Sequence, residues 1–205
     1  MRSLDPKPVF NAIHTTCTGE IMQLMDGFYS NIEDSLFELA YTHQSSIQQR
    51  HLGELMRELR HRREHLTKTF GKRINLSRGL WFGEVHSGLG AECIEERILA
   101  NNLAQKCDAH FGALLRTIAQ RSEFALGRSI STNNLPIGPS ELAYHFLISC
   151  RNVKFEKYSI DVVKDVFARF VLDRLGGMYG NLNNKLEELG YYTEEENQQL
   201  ADVSA

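Results

Sequence analysis

The chain has 205 residues, 42% of them hydrophobic and 24% charged, with a formal net charge of −3. That balance suits one soluble domain with a real core, and it gives no global positive field of the kind that attracts nucleic acid. No apolar run approaches the length of a membrane span, and the opening MRSLDPKPVF lacks the apolar centre of a signal peptide.

Phe10, Ile13, Cys17, Ile21, Leu24, Phe28 and Ile32 step by three or four, one apolar stripe at helical period. Asp5-Pro6 is the start signal. The stripe shifts after Ser30, which predicts a bend or break at Tyr29–Asn31, and Leu36, Phe37, Leu39 and Ala40 form a shorter set beyond it. A second long helix is predicted from Ser45 to Ile74, about 45 Å at 1.5 Å per residue. Its stripe is Leu52, Leu55, Met56, Leu59, Leu66, Phe70 and Ile74. Two long antiparallel helices joined by a short turn imply an up-down bundle.

Residues 75–90 carry four glycines and the one tryptophan, and read as a loop. Within it Leu80-Trp81-Phe82 is either a core plug or an exposed docking patch. A third helix is expected over Ala91–Leu126, then a turn-rich linker at 127–139 in which Asn133 or Asn134 tolerates left-handed backbone. Ser140 and Glu141 open a helix carrying Leu142, Phe146 and Leu147. Another spans 159–175, with Gly176-Gly177 as its break, and Met178, Tyr179, Leu182, Leu186 and Leu189 continue to a stop at Gly190. The acidic, polar stretch 191–205 is expected to fray. The expected architecture is an all-α elongated helical bundle of five to seven helices: one domain over 1–190, a polar acidic tail over 191–205, the whole a fragment of a longer protein.

Chemistry is sparse. There is no glycine-rich phosphate loop and no nucleophile elbow. Cys17, Cys93, Cys107 and Cys150 fit no metal spacing and read as reduced, buried residues of a cytoplasmic protein. HRREH at 61–65 has the H-x-x-E-H spacing of a zinc hydrolase through His61, Glu64 and His65. On a helical wheel, however, His61 and His65 fall opposite the apolar arc, on the side of Arg57, Lys68 and Lys72. A dication among so many cations, with no third ligand in view, is disfavoured, so the pair is only a candidate and no metal or other cofactor is expected. Arg63 lies near the centre of the apolar arc, where its head must be paired or must snorkel out. Asp34, Asp165 and Asp173 have the chemistry to be its partner.

Three stretches also carry a family likeness: NIEDSLFELA at 31–40, LMRELRHRR at 55–63, and 134–190 with LPIGPSELAYHF and VFARFVLDRLGGMYGNLNNKLEELG. They resemble the proteobacterial domain-of-unknown-function family sixteen-thirty-one. Its members often bear the automatic label "thymidine phosphorylase", which these residues do not support. The resemblance implies a longer parent protein and, for some members, an association with PilZ-type cyclic-di-GMP signalling modules. It brings no established catalytic residues.

The resulting expectation is a non-catalytic cytoplasmic scaffold or adaptor domain in bacterial regulation, docking a protein partner or a second copy of itself. Its contact residues are Arg57, Arg60, Arg63 and Lys68, with Leu80, Trp81 and Phe82 as a docking loop. Nucleic acid is not an expected partner. The alternative is a module sensing an anionic nucleotide such as cyclic-di-GMP through the same arginines, and a zinc hydrolase at HRREH is a distant third.

Overall fold

The computed structural model describes residues 5–42, 46–84 and 92–203. Among them are eight α-helices and no strand. They are α1 (Pro6–Thr42), α2 (Ser46–Ser77), α3 (Ile94–His110), α4 (Gly112–Leu126), α5 (Pro139–Asn152), α6 (Lys157–Phe170), α7 (Gly176–Glu188) and α8 (Glu194–Val203). The fold is an all-α bundle.

The two N-terminal helices are antiparallel, as cross-seam contacts show. His14 of α1 meets the Ile74 carbonyl of α2 at 2.7 Å, Tyr29 reaches the Arg63 carbonyl, and Glu33 meets Arg60. The break expected near residue 30 does not occur, and α1 runs unbroken for 37 residues. Tyr29, Ile32 and Leu36 stay on its buried face. Ser30 and Asn31 donate to the carbonyls of Asp26 and Gly27 one turn back, so their polar groups join the helix rather than compete with it.

α5 is the centre of the molecule, and every residue from Leu135 to Cys150 is buried. It packs on α2 and α3. The Phe146 ring lies stacked on Phe167 of α6 at 3.8 Å, with Phe28 of α1 and Phe70 of α2 edge-on to both. These four rings tie four helices into one core. The expected linker before α5 is core too: Leu135, Pro136 and Ile137 are buried, and Tyr179 of α7 donates to the Ile137 carbonyl. Asn133 and Asn134 sit in a 3-10 turn, Thr132–Asn134. Among the described residues the left-handed positions are Gly83, Gly127, Gly190 and Lys154.

The expected third helix is two helices. Phe111 breaks it at φ −97° and ψ 9°, turning its ring toward Tyr179 and against Gly176. Gly176 begins α7, as the glycine pair predicts. The acidic tail forms a helix instead of fraying. Thr193 Oγ1 accepts from the Glu196 amide while Glu196 accepts from the Thr193 amide, a reciprocal cap for α8. Glu196 also meets Arg121 of α4, a buried guanidinium that donates to the Asn183 carbonyl and to Glu187. The loop expected at 75–90 is shorter: α2 reaches Ser77 and a 3-10 turn covers Arg78–Phe82. Residues 85–90 of that loop, and Ala91 of the expected third helix, lie outside the described residues.

Candidate functional site

α2 presents one face to α1 and α5 and another to water, and the sequence candidates divide between them. Arg60, Arg62 and Arg63 are engaged within the fold. Arg60 grips Glu33 of α1 through two hydrogen bonds, Nε to Oε1 at 2.6 Å and Nη2 to Oε2. That contact holds the Glu33 carboxyl below its ordinary range. Arg62 donates to the Val153 carbonyl and pairs with Glu58 at 3.2 Å. Arg63 stands on the apolar arc yet escapes it. Its guanidinium lies over the Tyr29 ring at 4.5 Å and is 53% exposed, and its acid is Asp26 at 3.7 Å rather than Asp34, Asp165 or Asp173. A long stem carries the head out of the α1–α2 seam. Arg57 is exposed on the opposite side of the helix.

On that side His61, His65, Lys68 and Lys72 follow one another at i, i+4, i+7 and i+11, a single ridge along α2. With Glu64, Thr69, Arg73, Leu76 and Asn152 they line a groove of about 630 Å³. Among the described residues neither Lys68 nor Lys72 takes part in an ion pair. Two lysines one turn apart repel each other, which costs about 0.2–0.5 kcal/mol. Thr69, Arg73, Leu76 and Asn152 are the lining residues that the sequence does not single out. Arg73 reads as one more basic residue beside the apolar stripe, and Asn152 is brought in by α5.

The HRREH pair, His61 and His65, lies on this ridge, exposed and followed by two lysines. Among the described residues no group of three His, Cys, Asp or Glu side chains is placed to hold a metal ion. In the Leu80-Trp81-Phe82 segment, Trp81 is fully buried, donates from Nε1 to His14 Nδ1 and stands edge-on to Phe10 at 5.2 Å. The plug reading describes it, while Leu80 and Phe82 are half-buried.

A second charged cluster surrounds the start of α5. Arg97 of α3 pairs with the buried Glu141 at 2.8 Å and with Glu92 at 2.6 Å, its guanidinium 3.9 Å from the Tyr144 ring centroid. It borders a polar cavity of about 400 Å³, on whose far wall Arg128 donates to the carbonyls of Leu80 and Trp81. Both arginines of this cavity are therefore engaged by its own walls, unlike the α2 lysines. Cys17 and Cys107 are buried, and burial pushes both thiols up to about 12. Neither is a ready nucleophile.

Among the described residues, no helix is long and apolar enough to cross a membrane. No curated protein and no solved structure matches the chain. Residues 89–190 match the family model described as "Protein of unknown function (DUF1631) N-terminal domain". Of the three stretches that carry the resemblance, 134–190 lies inside that span, whereas 31–40 and 55–63 lie before it. α3 to α7 fall within the match, and the α2 ridge stands outside it, resting on the matched α5. The chain belongs to the DUF1631 family.

Proposed function

We propose that this chain is a non-catalytic adaptor domain of the bacterial cytoplasm, and that its α2 groove docks an acidic segment of a partner protein. One observation carries the reading. Arg60, Arg62 and Arg63 are engaged by groups of the fold, while Lys68 and Lys72 stand on an open groove and, among the described residues, outside any ion pair. Unscreened cations on one ridge steer an acidic surface toward it and fix its register. A nucleotide-sensing role finds less support. Arg60 and Arg63 are turned to α1, and among the described residues no Phe, Tyr or Trp lines the groove.

The test is a pull-down from native lysate with the wild-type chain beside a Lys68→Glu/Lys72→Glu variant of unchanged circular dichroism. The expected result is a protein retained by the wild type, lost by the variant, and binding in purified form through an acidic segment with strong salt dependence. Equal retention by both chains refutes the groove as the contact.

A further inference from the structure

We infer that the partner seated in the α2 groove is a second copy of this chain, and that the acidic segment it offers is the outer face of α8. This rests on the reading above and names the partner.

α8 is held to the fold through one side. Glu196 accepts from Arg121 of α4, and Asn197 donates to the carbonyls of Tyr192 and Thr193. At 100° per residue, Glu194, Glu195, Gln198, Gln199 and Asp202 fall on the opposite side, and all five are exposed. Among the described residues, none of the three carboxylates on that side takes part in an ion pair.

Charge and spacing match along the two helices. Glu195 and Asp202 are seven residues apart on α8, about 10 Å, and so are Lys68 and His61 on α2. With the helices antiparallel, Glu195 set against Lys68 brings Asp202 to His61, and Lys72 stands within reach of Glu194. The antiparallel run is the one that puts both glutamates on both lysines. The order along the outer face of α8 is acid, amide, acid. Gln198 and Gln199 therefore come opposite Glu64 and His65, so Glu64, the carboxylate of the groove lining, meets amide N–H donors and no acid. Glu64 offsets one of the two lysines, and it is this register, not a surplus of charge, that selects α8. The lengths agree as well: α8 has 10 residues, about 15 Å, and the ridge from His61 to Lys72 is about 16 Å long.

Groove and helix are different surfaces, so the contact is heterologous, the groove of one copy taking α8 of another. One short helix on one groove makes a contact below the standard interface size, weak and sensitive to salt.

The experiment is sedimentation velocity on the full chain, at up to about 0.5 mM and in rising NaCl. The wild type is expected to associate reversibly, and less so as salt rises. Lys68→Glu/Lys72→Glu and Glu194→Lys/Glu195→Lys, each of unchanged circular dichroism, weaken association about tenfold or more, because each sets like charges face to face. An equimolar mixture of the two variants regains it, since opposite charges then meet across the contact. Asp202→Lys leaves the Thr193–Glu196 cap intact and weakens association too. Glu54→Lys, at an exposed acid of α2 outside the groove lining, leaves it unchanged. A wild type that stays monomeric throughout overturns the second copy, and leaves the groove to a different acidic partner, which the pull-down tests. Association lost in the lysine variant but kept in both α8 variants gives the groove another occupant, and overturns α8. Association untouched by every variant, or two weakened variants that do not restore one another, overturns the pairing.

Discussion

Gly176→Ala probes the contact that divides the third predicted helix in two. A Cβ built on Gly176 lies 2.8 Å from Cε1 of Phe111 and 3.5 Å from Cζ. Ordinary carbon contacts lie near 3.5–4.0 Å, so the ring must retreat by about half an ångström or more. It has little room. Phe111 is 7% exposed and edge-on to Tyr179 at 5.7 Å, and it stands at the bend between α3 and α4. Overpacking of this kind costs about 1–3 kcal/mol. Alanine returns at most about 1 kcal/mol of helix propensity, and less at the first residue of α7. The net expectation is a loss of about 1–2 kcal/mol, or a fall in melting temperature of roughly 2–8 °C for a chain this size. Gly177→Ala is the control, because a Cβ there meets nothing within 4 Å and the change should be neutral or slightly stabilising. Thermal melts followed at 222 nm give both numbers. A Gly176→Ala protein that melts at or above the wild type refutes the argument, as does an equal fall for Gly177→Ala.

Two further predictions concern parts of the chain that read differently in sequence and in structure. Arg121 holds the Glu196 carboxyl below its ordinary 4.5. A depressed carboxyl stabilises the fold above its unfolded value, and that contribution is lost as pH falls from about 4.5 through the lower folded value. Amide exchange in α8, corrected for intrinsic rates, should therefore accelerate below about pH 4.5. Glu196→Gln keeps the reciprocal cap but drops the charge. It should exchange about fivefold faster at pH 7, for a loss of about 1 kcal/mol at this partly exposed pair, with no further response to acid; unchanged protection would count against the Arg121 contact. Trp81 is the one tryptophan and is fully buried, so native fluorescence should be blue-shifted and resistant to acrylamide. Quenching comparable to free tryptophan would restore the exposed docking loop.

The long helices were legible because one face of each is wet. α1 and α2 alternate buried and exposed residues at helical period, and that contrast is what periodicity measures. α5 has no wet face along most of its length, so Glu141, His145 and Ser149 look like a polar side when they are interior groups. Glu141 pairs with Arg97, and Ser149 donates to the His145 carbonyl. The break at Phe111 has no local signal, since the glycine that receives the ring lies 65 residues further along the chain. α8 is a different case. The capping sequence from Thr193 to Glu196 stands in plain view, but its acidic composition suggests fraying until Arg121 is seen to meet it.

The candidate site was legible only in half for a related reason. A helical wheel of α2 sorts residues by angle, and it places His61, His65, Lys68 and Lys72 together on the outer side. It says nothing about which cations are already engaged, because that depends on the register of α1. Glu33 lies opposite Arg60 and Asp26 opposite Arg63 only because the two helices run antiparallel with His14 set against Ile74. A slide by one turn would hand those carboxylates to other residues. Subtracting the arginines that α1 and the α5 end hold leaves Arg57 and the two lysines, and of these the lysines line the groove, where a partner's anion gains most.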